Sequence, residues 1–226
     1  MPTLNLSPVR IATISDTIYE SLLESIVSGQ IPPGMPLTMQ GLAEQFDVSL
    51  MPVRDALKKL EAVNVIERRK NRRVVVKHLS IDDFEELLEI RMHLEILAAK
   101  KATRNCTDQT LRELRQITVE TEKTRSMSAF VEKNAQFHQM IYRAARAPIL
   151  QEIIDGMWLR LRPYLYIYAS GRTDHKTADT LHAGILEGLL ERNENKVSEF
   201  LRRDLEHGAT AVTAVLKKRP EVIKPE

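Results

Sequence analysis

From Ser80 onward the chain carries one kind of pattern. Apolar residues recur three and four apart, and no run shows the period-two alternation of a half-buried strand. The stretch "SIDD" has the form of a capping box and leads into "FEELLEIRMHLEILAAKKA". Further helices are expected near 108–125, 128–146, 148–169, 176–192 and 194–217. They are parted by "RNCTD", "RSMS", "RAP", "SGRTDHK" and "RNEN", connections short enough to make neighbouring helices antiparallel. Residues 79–226 therefore predict an antiparallel all-α helical bundle.

The first 78 residues read differently. "SDTIYESLLESIVSG" places Ile18, Leu22, Ile26 and Val27 on one helical face, with Ser15 or Asp16 as cap and Gly29 as stop. "QIPPGMPL" turns the chain, and Thr38 starts a short helix that buries Leu42 and Phe46. After the turn "DVS" a third helix is expected from Leu50 to Val63. "NVIERRKNRRVVVKHL" then sets β-branched residues on either side of a polar turn at Lys70–Arg73, the pattern of a two-stranded hairpin. Three helices closed by a hairpin form a winged helix-turn-helix. The fold class expected is thus mainly α, with residues 1–78 as the winged domain, its small β-hairpin included, and residues 79–226 as the bundle.

Charge sharpens this reading. The chain of 226 residues has 33 basic and 31 acidic residues, so a nucleic-acid function requires local concentration of charge. Residues 68–77, "RRKNRRVVVK", supply it with six basic residues and no acidic one. In the third helix Val53, Leu57 and Leu60 face inward, which leaves Met51, Arg54 and Lys58 together outside. Pro52 is tolerated in a first turn whose amides have no intrahelical partner, and Ser49 is placed to cap it. An outward arginine beside a helix N-terminus suits insertion into a major groove, where a bidentate contact to guanine discriminates by roughly 1–3 kcal/mol. Met51 is placed to meet a thymine methyl. Arg69, Lys70, Arg72 and Arg73 would follow the backbone or enter the adjacent minor groove.

The segment "GQIPPGMPLTMQGLAEQFDVSLMPVRDALKKLEAVNVIERR" resembles the DNA-binding domain of the GntR transcription factors. The likeness lies in the PPG turn, then L-A-x-x-F-x-V-S, P-V-R-x-A-L-x-x-L and the "IER" strand. It implies that Arg54 is the main base-contacting arginine, with Ser49 touching DNA near the helix start. Asn64 and Arg73 stand where the family usually has glycine, and Leu50 stands where some relatives carry a second arginine.

Five polar residues fall on apolar stripes of the bundle. Arg91 lies among Phe84, Leu87, Leu88, Leu94 and Ala98; Asn134 and His138 share a face with Phe130, Phe137 and Ile141. His182 precedes Ile185 and Leu186, and Asp204 lies with Val197, Leu201 and Leu205. Buried charge must be paired or bound to something. Either these residues satisfy one another, Asp204 with His182 or Arg91 and Asn134 with His138, or they form a metal site with a ligand pocket. Two imidazoles, a carboxylate and an amide oxygen suit zinc, nickel or manganese. His207, one turn after Asp204, could substitute or support. Trp158, Tyr164, Tyr166 and Tyr168 are pocket or core, and His78, His93 and His175 read as structural or exposed.

"EIRMHLEILAAKKA", "NAQFHQMIYRAA" and "LHAGILEGLLERNENKVSEFLRRDL" resemble the FCD effector domain of the FadR branch of the same family. The resemblance implies a bundle enclosing a small molecule, often a carboxylate, and metal ligands at Asn134, His138, His182 and Asp204. Asp204 takes the place of the family's third histidine. Arg91 matches an arginine suited to an effector carboxylate or phosphate.

The function expected is a cytoplasmic transcriptional regulator, a repressor, binding operator DNA as a homodimer under control of a small metabolite. No apolar run approaches the roughly 20 residues of a membrane helix, the N-terminus lacks a secretory signal, and Cys106 as the only cysteine excludes an internal disulfide. A metal-dependent enzyme is the competing class, yet H-E-x-x-H, a nucleophile elbow and a glycine-rich phosphate loop are all missing from the sequence. An effector-independent nucleic-acid binder is the other.

Overall fold

A computed structural model describes residues 13–69, 73–169 and 176–218. Its first helix, α1 (Ile14–Val27), is capped by Thr13, whose hydroxyl accepts from the Asp16 amide while Asp16 returns a bond to the Thr13 amide. The cap thus falls just before the expected Ser15 or Asp16, and Asp16 is the reciprocal partner of the box. Gly29, at φ +74°, turns the chain after it.

Strand β1 (Pro36–Leu37) was not expected from the sequence. It pairs antiparallel with β3 (Val74–Val76), which also pairs with β2 (Ile66–Arg68), so the wing is three-stranded in the order β1-β3-β2. Two residues between a proline turn and a helix cap carry no visible alternation. Thr38 caps α2 (Met39–Phe46), and Asp47 ends it in the left-handed conformation. Helix α3 (Leu50–Ala62) follows, with Val53, Ala56, Leu57 and Leu60 fully buried. Asn64 takes φ +62°, a conformation asparagine tolerates better than most residues, and its side-chain oxygen accepts from Lys77 at 3.0 Å. Arg73 is not among the described residues with positive φ; its carbonyl accepts from the Arg69 amide at 2.9 Å, which closes the base of the wing.

The helices of the bundle are α4 (Ile81–Asn105), α5 (Asp108–Glu122), α6 (Met127–Ala144), α7 (Pro148–Ala169), α8 (Lys176–Leu190) and α9 (Glu194–Lys218). The expected box at Ser80 and Asp83 is formed. Arg192, at φ +56°, donates from the α8–α9 turn to the carbonyls of Thr103 (2.9 Å) and Cys106 (2.7 Å), satisfying acceptors at the end of α4. Helices α8 and α9 approach closely because Gly184 and Gly188 face Phe200 and Val197.

Buried apolar side chains gather in two cores, one around α1, α3 and the sheet, one within the bundle. Helix α7 belongs to both. Its Leu159 packs on the first core, Pro163 and Ile167 lie against Gly29, and the Tyr164 hydroxyl accepts from the Leu79 amide at 2.7 Å. Burial pushes the Tyr164 phenol up to about 12. No helix among the described residues is long and apolar enough to cross a membrane.

Candidate functional site: an exposed basic helix face and a buried polar centre

The outer face of α3 is open to solvent. Ser49 stands at its N-cap, but the hydroxyl makes no cap hydrogen bond, so the expected capping contact is absent and that hydroxyl stays available to a phosphate. Leu50 and Met51 are more than half exposed. The guanidinium of Arg54 rests against the Met51 sulfur, and Asp55 lies 3.8 Å from Arg54 and 3.5 Å from Lys58. These contacts hold both cations over the first two turns without burying them. In the wing, Arg68 pairs with Glu61 of α3 at 2.9 Å and Arg69 with Glu67 of β2 at 3.2 Å, so part of the basic run is neutralised by neighbouring carboxylates. Arg73 is exposed; Lys70 and Arg72 lie outside the described residues.

Inside the bundle, α4, α6, α8 and α9 bring their polar residues to one place. His138 Nε2 lies 3.0 Å from one Asp204 oxygen, and His182 Nε2 lies 3.5 Å from the other. All three side chains are buried, and their ligand atoms fall within 4.8 Å of one another. Phe137 stacks on His182 at 4.4 Å and fixes its ring plane. Asn134, one turn before His138, is half-buried and lines the same cavity. Arg91 does not meet Asp204. Its guanidinium pairs with Glu95 at 2.5 and 3.4 Å and lies 5.2 Å over the Trp158 ring.

Glu95 and Tyr142 are the functional residues that sequence reasoning passed over. Glu95 is completely buried, accepts from the Tyr142 hydroxyl, and thereby joins Arg91 to the imidazoles. The signal was present: Glu95 is four residues after Arg91 on a helix whose apolar face holds both. Burial, then the Glu95 charge, keeps the Tyr142 phenol protonated far above its ordinary range. Tyr142 thus donates to Glu95, and its oxygen can accept only from His138 Nδ1, 3.3 Å away. His138 Nε2, on the other side of the ring, faces the Asp204 carboxylate.

His182 Nε2 is buried without a hydrogen-bond partner. Burial lowers the His182 imidazole to about 4, so it is neutral at physiological pH. Burial alone would raise the Asp204 carboxyl, but the imidazoles of His138, His182 and His207 bring it below the ordinary carboxylate value. A buried carboxylate facing two imidazoles, one of them with an unpartnered nitrogen, fits a divalent cation, and the nitrogen–oxygen donor set suits zinc, nickel or manganese. His207 is exposed at the cavity rim. The cavity beside these residues has a volume of about 130 Å³. Trp158 and Tyr168 line it, whereas Tyr164 sits under residues 78–79 and Tyr166 meets Glu132 and Arg162. His78 is half-buried, His93 is exposed, and His175 lies outside the described residues.

A winged helix-turn-helix with an exposed basic recognition helix, joined to a ligand-sized cavity in a helical bundle, defines a DNA-binding transcriptional regulator. Comparison with known proteins specifies which kind. Residues 14–76 match the family described as "Bacterial regulatory proteins, gntR family", and residues 86–207 match the FCD domain. The chain belongs to the GntR regulators that carry an FCD domain. It is 31% identical over 155 residues to the HTH-type transcriptional regulator McbR of Escherichia coli K12, covering 67% of this chain and 70% of that protein. It is 23% identical over 219 residues to the transcriptional repressor RspR of the same organism, covering 94% and 95%. The solved structure of E. coli McbR/YncC superposes with a TM-score of 0.78 at 24% identity, covering 93% of this chain and all of that one, a likeness of fold.

Proposed function

We propose that this chain is a cytoplasmic repressor of the FadR branch that binds a roughly palindromic operator as a homodimer. Each protomer places α3 in a major groove, with Arg54 on a guanine, Lys58 and Ser49 on phosphates and Met51 against a thymine methyl. Arg69, Lys70, Arg72 and Arg73 follow the flanking backbone. Asn134, His138, His182 and Asp204 hold a divalent metal, which would offer positive charge to the carboxylate of a small-molecule effector, with Arg91 beside it.

The observation that carries this reading is the double membership of α7. Trp158, Leu161 and Leu165 line the cavity, while Leu159, Pro163 and Tyr164 support the DNA-binding core and the linker. An effector that favours one position of α7 shifts the placement of the recognition helix, and it can do so only through a difference in affinity between the two states.

Operator recovered by in vitro selection provides the test. Arg54→Ala should weaken operator binding about 10- to 100-fold while thermal stability stays within about 0.5 kcal/mol, since the side chain is half exposed. Full-affinity binding by Arg54→Ala would refute the groove assignment. Binding that disappears at moderate salt, with no preference for the selected sequence, would favour an effector-independent nucleic-acid binder.

A further inference from the structure

We propose that the effector is a small monocarboxylic acid with an apolar body the size of a single ring, held carboxylate-inward, rather than a dicarboxylate or a polyhydroxylated acid. The inference deepens the proposed function and rests on its metal-and-effector site. It comes from the direction, the lining and the charge of the cavity.

The direction follows from residue order. Counted from His138, the other cavity residues of α6 lie toward its N-terminus: Asn134, Val131, Phe130 and Met127. Counted from Trp158, those of α7 run toward its C-terminus, through Leu165. Those of α9 run the same way from Asp204, to Ala211 and Val212, and Ala178 of α8 lies one turn before His182. In an antiparallel arrangement these four directions coincide. The space therefore starts at the polar centre and extends about two helical turns, roughly 10 Å, toward one end of the bundle.

The walls along that path are mostly apolar, with Tyr168 among them. Beyond Asn134 the α6 positions are Val131, Phe130 and Met127, and the facing α7 and α9 positions are Leu165 and Val212. Hydroxyl groups on a ligand body would meet few partners there, and unpaired polar groups are costly to bury. Lys176 and Thr177 line only the exposed first turn of α8, at the rim. A volume of about 130 Å³ is close to that of the apolar cavities known to admit benzene, which sets the ligand body at one ring or a short branched chain.

Charge fixes the number of acidic groups. The Arg91 and Glu95 charges cancel within their own ion pair. Asp204 contributes one negative charge, and imidazoles that ligate a metal through Nε2 are neutral. With a divalent cation the centre carries one net positive charge, which one carboxylate neutralises. On a body of one ring a second carboxylate would be held among the apolar walls, because Lys176 and His207 are confined to the rim.

The test uses full-length protein loaded with zinc and titrated with benzoate, acetate, succinate and D-gluconate. Trp158, the only tryptophan and a cavity residue, reports binding by its emission. Benzoate should bind at least tenfold tighter than each of the others. Leu165→Asn, with zinc content and circular dichroism unchanged, should reduce the benzoate-to-acetate affinity ratio at least fivefold. Succinate or D-gluconate binding tighter than benzoate would overturn this inference and leave the metal site standing. Equal benzoate affinity in zinc-free protein would retain the ring-sized apolar ligand and refute the charge argument. No binding of any of the four to zinc-loaded protein would overturn both the inference and the proposed effector site.

Discussion

Replacing Glu95 by glutamine removes one charge from the centre of the bundle and changes almost nothing in shape. Arg91 is 7% exposed and Glu95 0%, so the arginine is largely shielded from water when its counter-ion is neutralised. At an effective dielectric of about 20, two charges 4 Å apart interact by roughly 4 kcal/mol, and breaking a buried pair on one side costs about 3–5 kcal/mol. Glu95→Gln should therefore destabilise the bundle by about 4 kcal/mol. Removing both partners should cost much less, because Arg91→Met with Glu95→Leu leaves no unpaired charge. Urea unfolding followed by Trp158 emission measures this, since that side chain is buried in the bundle core and lies under the Arg91 guanidinium. With a slope of about 2–3 kcal/mol/M, the single substitution should lower the midpoint by about 1–2 M. It should also weaken metal binding about 10- to 100-fold, because the amide has a single acceptor oxygen for Arg91 and Tyr142 where the carboxylate has two, and Tyr142 orients His138. A Glu95→Gln protein within about 1 kcal/mol of the parent, or a double substitution as unstable as the single one, would refute the reasoning.

Three other outcomes follow from particular contacts. A Cβ on Gly188 would stand 2.9 Å from the backbone nitrogen of Val197, which cannot rotate away, whereas the nearest atoms to one on Gly184 belong to the half-buried Phe200 side chain. Gly188→Ala should thus cost about 1–3 kcal/mol in thermal unfolding and Gly184→Ala less, despite the shorter distances at Gly184. In metal-free protein His182 has a pKa of about 4 when folded. Its unfolded value is about 6.5, so stability is complete above that pH and is lost by up to about 3 kcal/mol as pH falls toward 4. His182→Gln should flatten that part of the stability profile, measured by denaturant unfolding at stepped pH.

Much of this was legible in the residues because their periodicity is strong. Every bundle helix falls within a few residues of its expected span, and the stripe of Val53, Leu57 and Leu60 is fully buried as its spacing requires. The five polar residues on apolar stripes do line or enter one interior, because a single helical face can point only one way. What escaped has physical reasons. Strand β1 is two residues long and owes its conformation to pairing with Val74 and Val75, a contact distant in sequence. The cap at Thr13 depends on Asp16, and either end of that box could be read as the start. Glu95 was hidden because a glutamate on a charged helix ordinarily faces water; only the packing of α6 against α4 encloses it with Tyr142. Only the four-residue spacing to Arg91 pointed to it, and that pairing leaves the Arg91 charge balanced before any effector arrives.

Metal content of the purified chain, prepared without chelators, bears most directly on whether the buried centre is a ligand site. It should be measured beside His138→Ala and His182→Ala. The arrangement of His138, His182 and Asp204 predicts about one divalent ion per chain, lost from both variants, with operator binding retained by the metal-free protein. A parent protein free of metal, with both variants merely less stable, would contradict the account and mark the same residues as a closed hydrogen-bonded network.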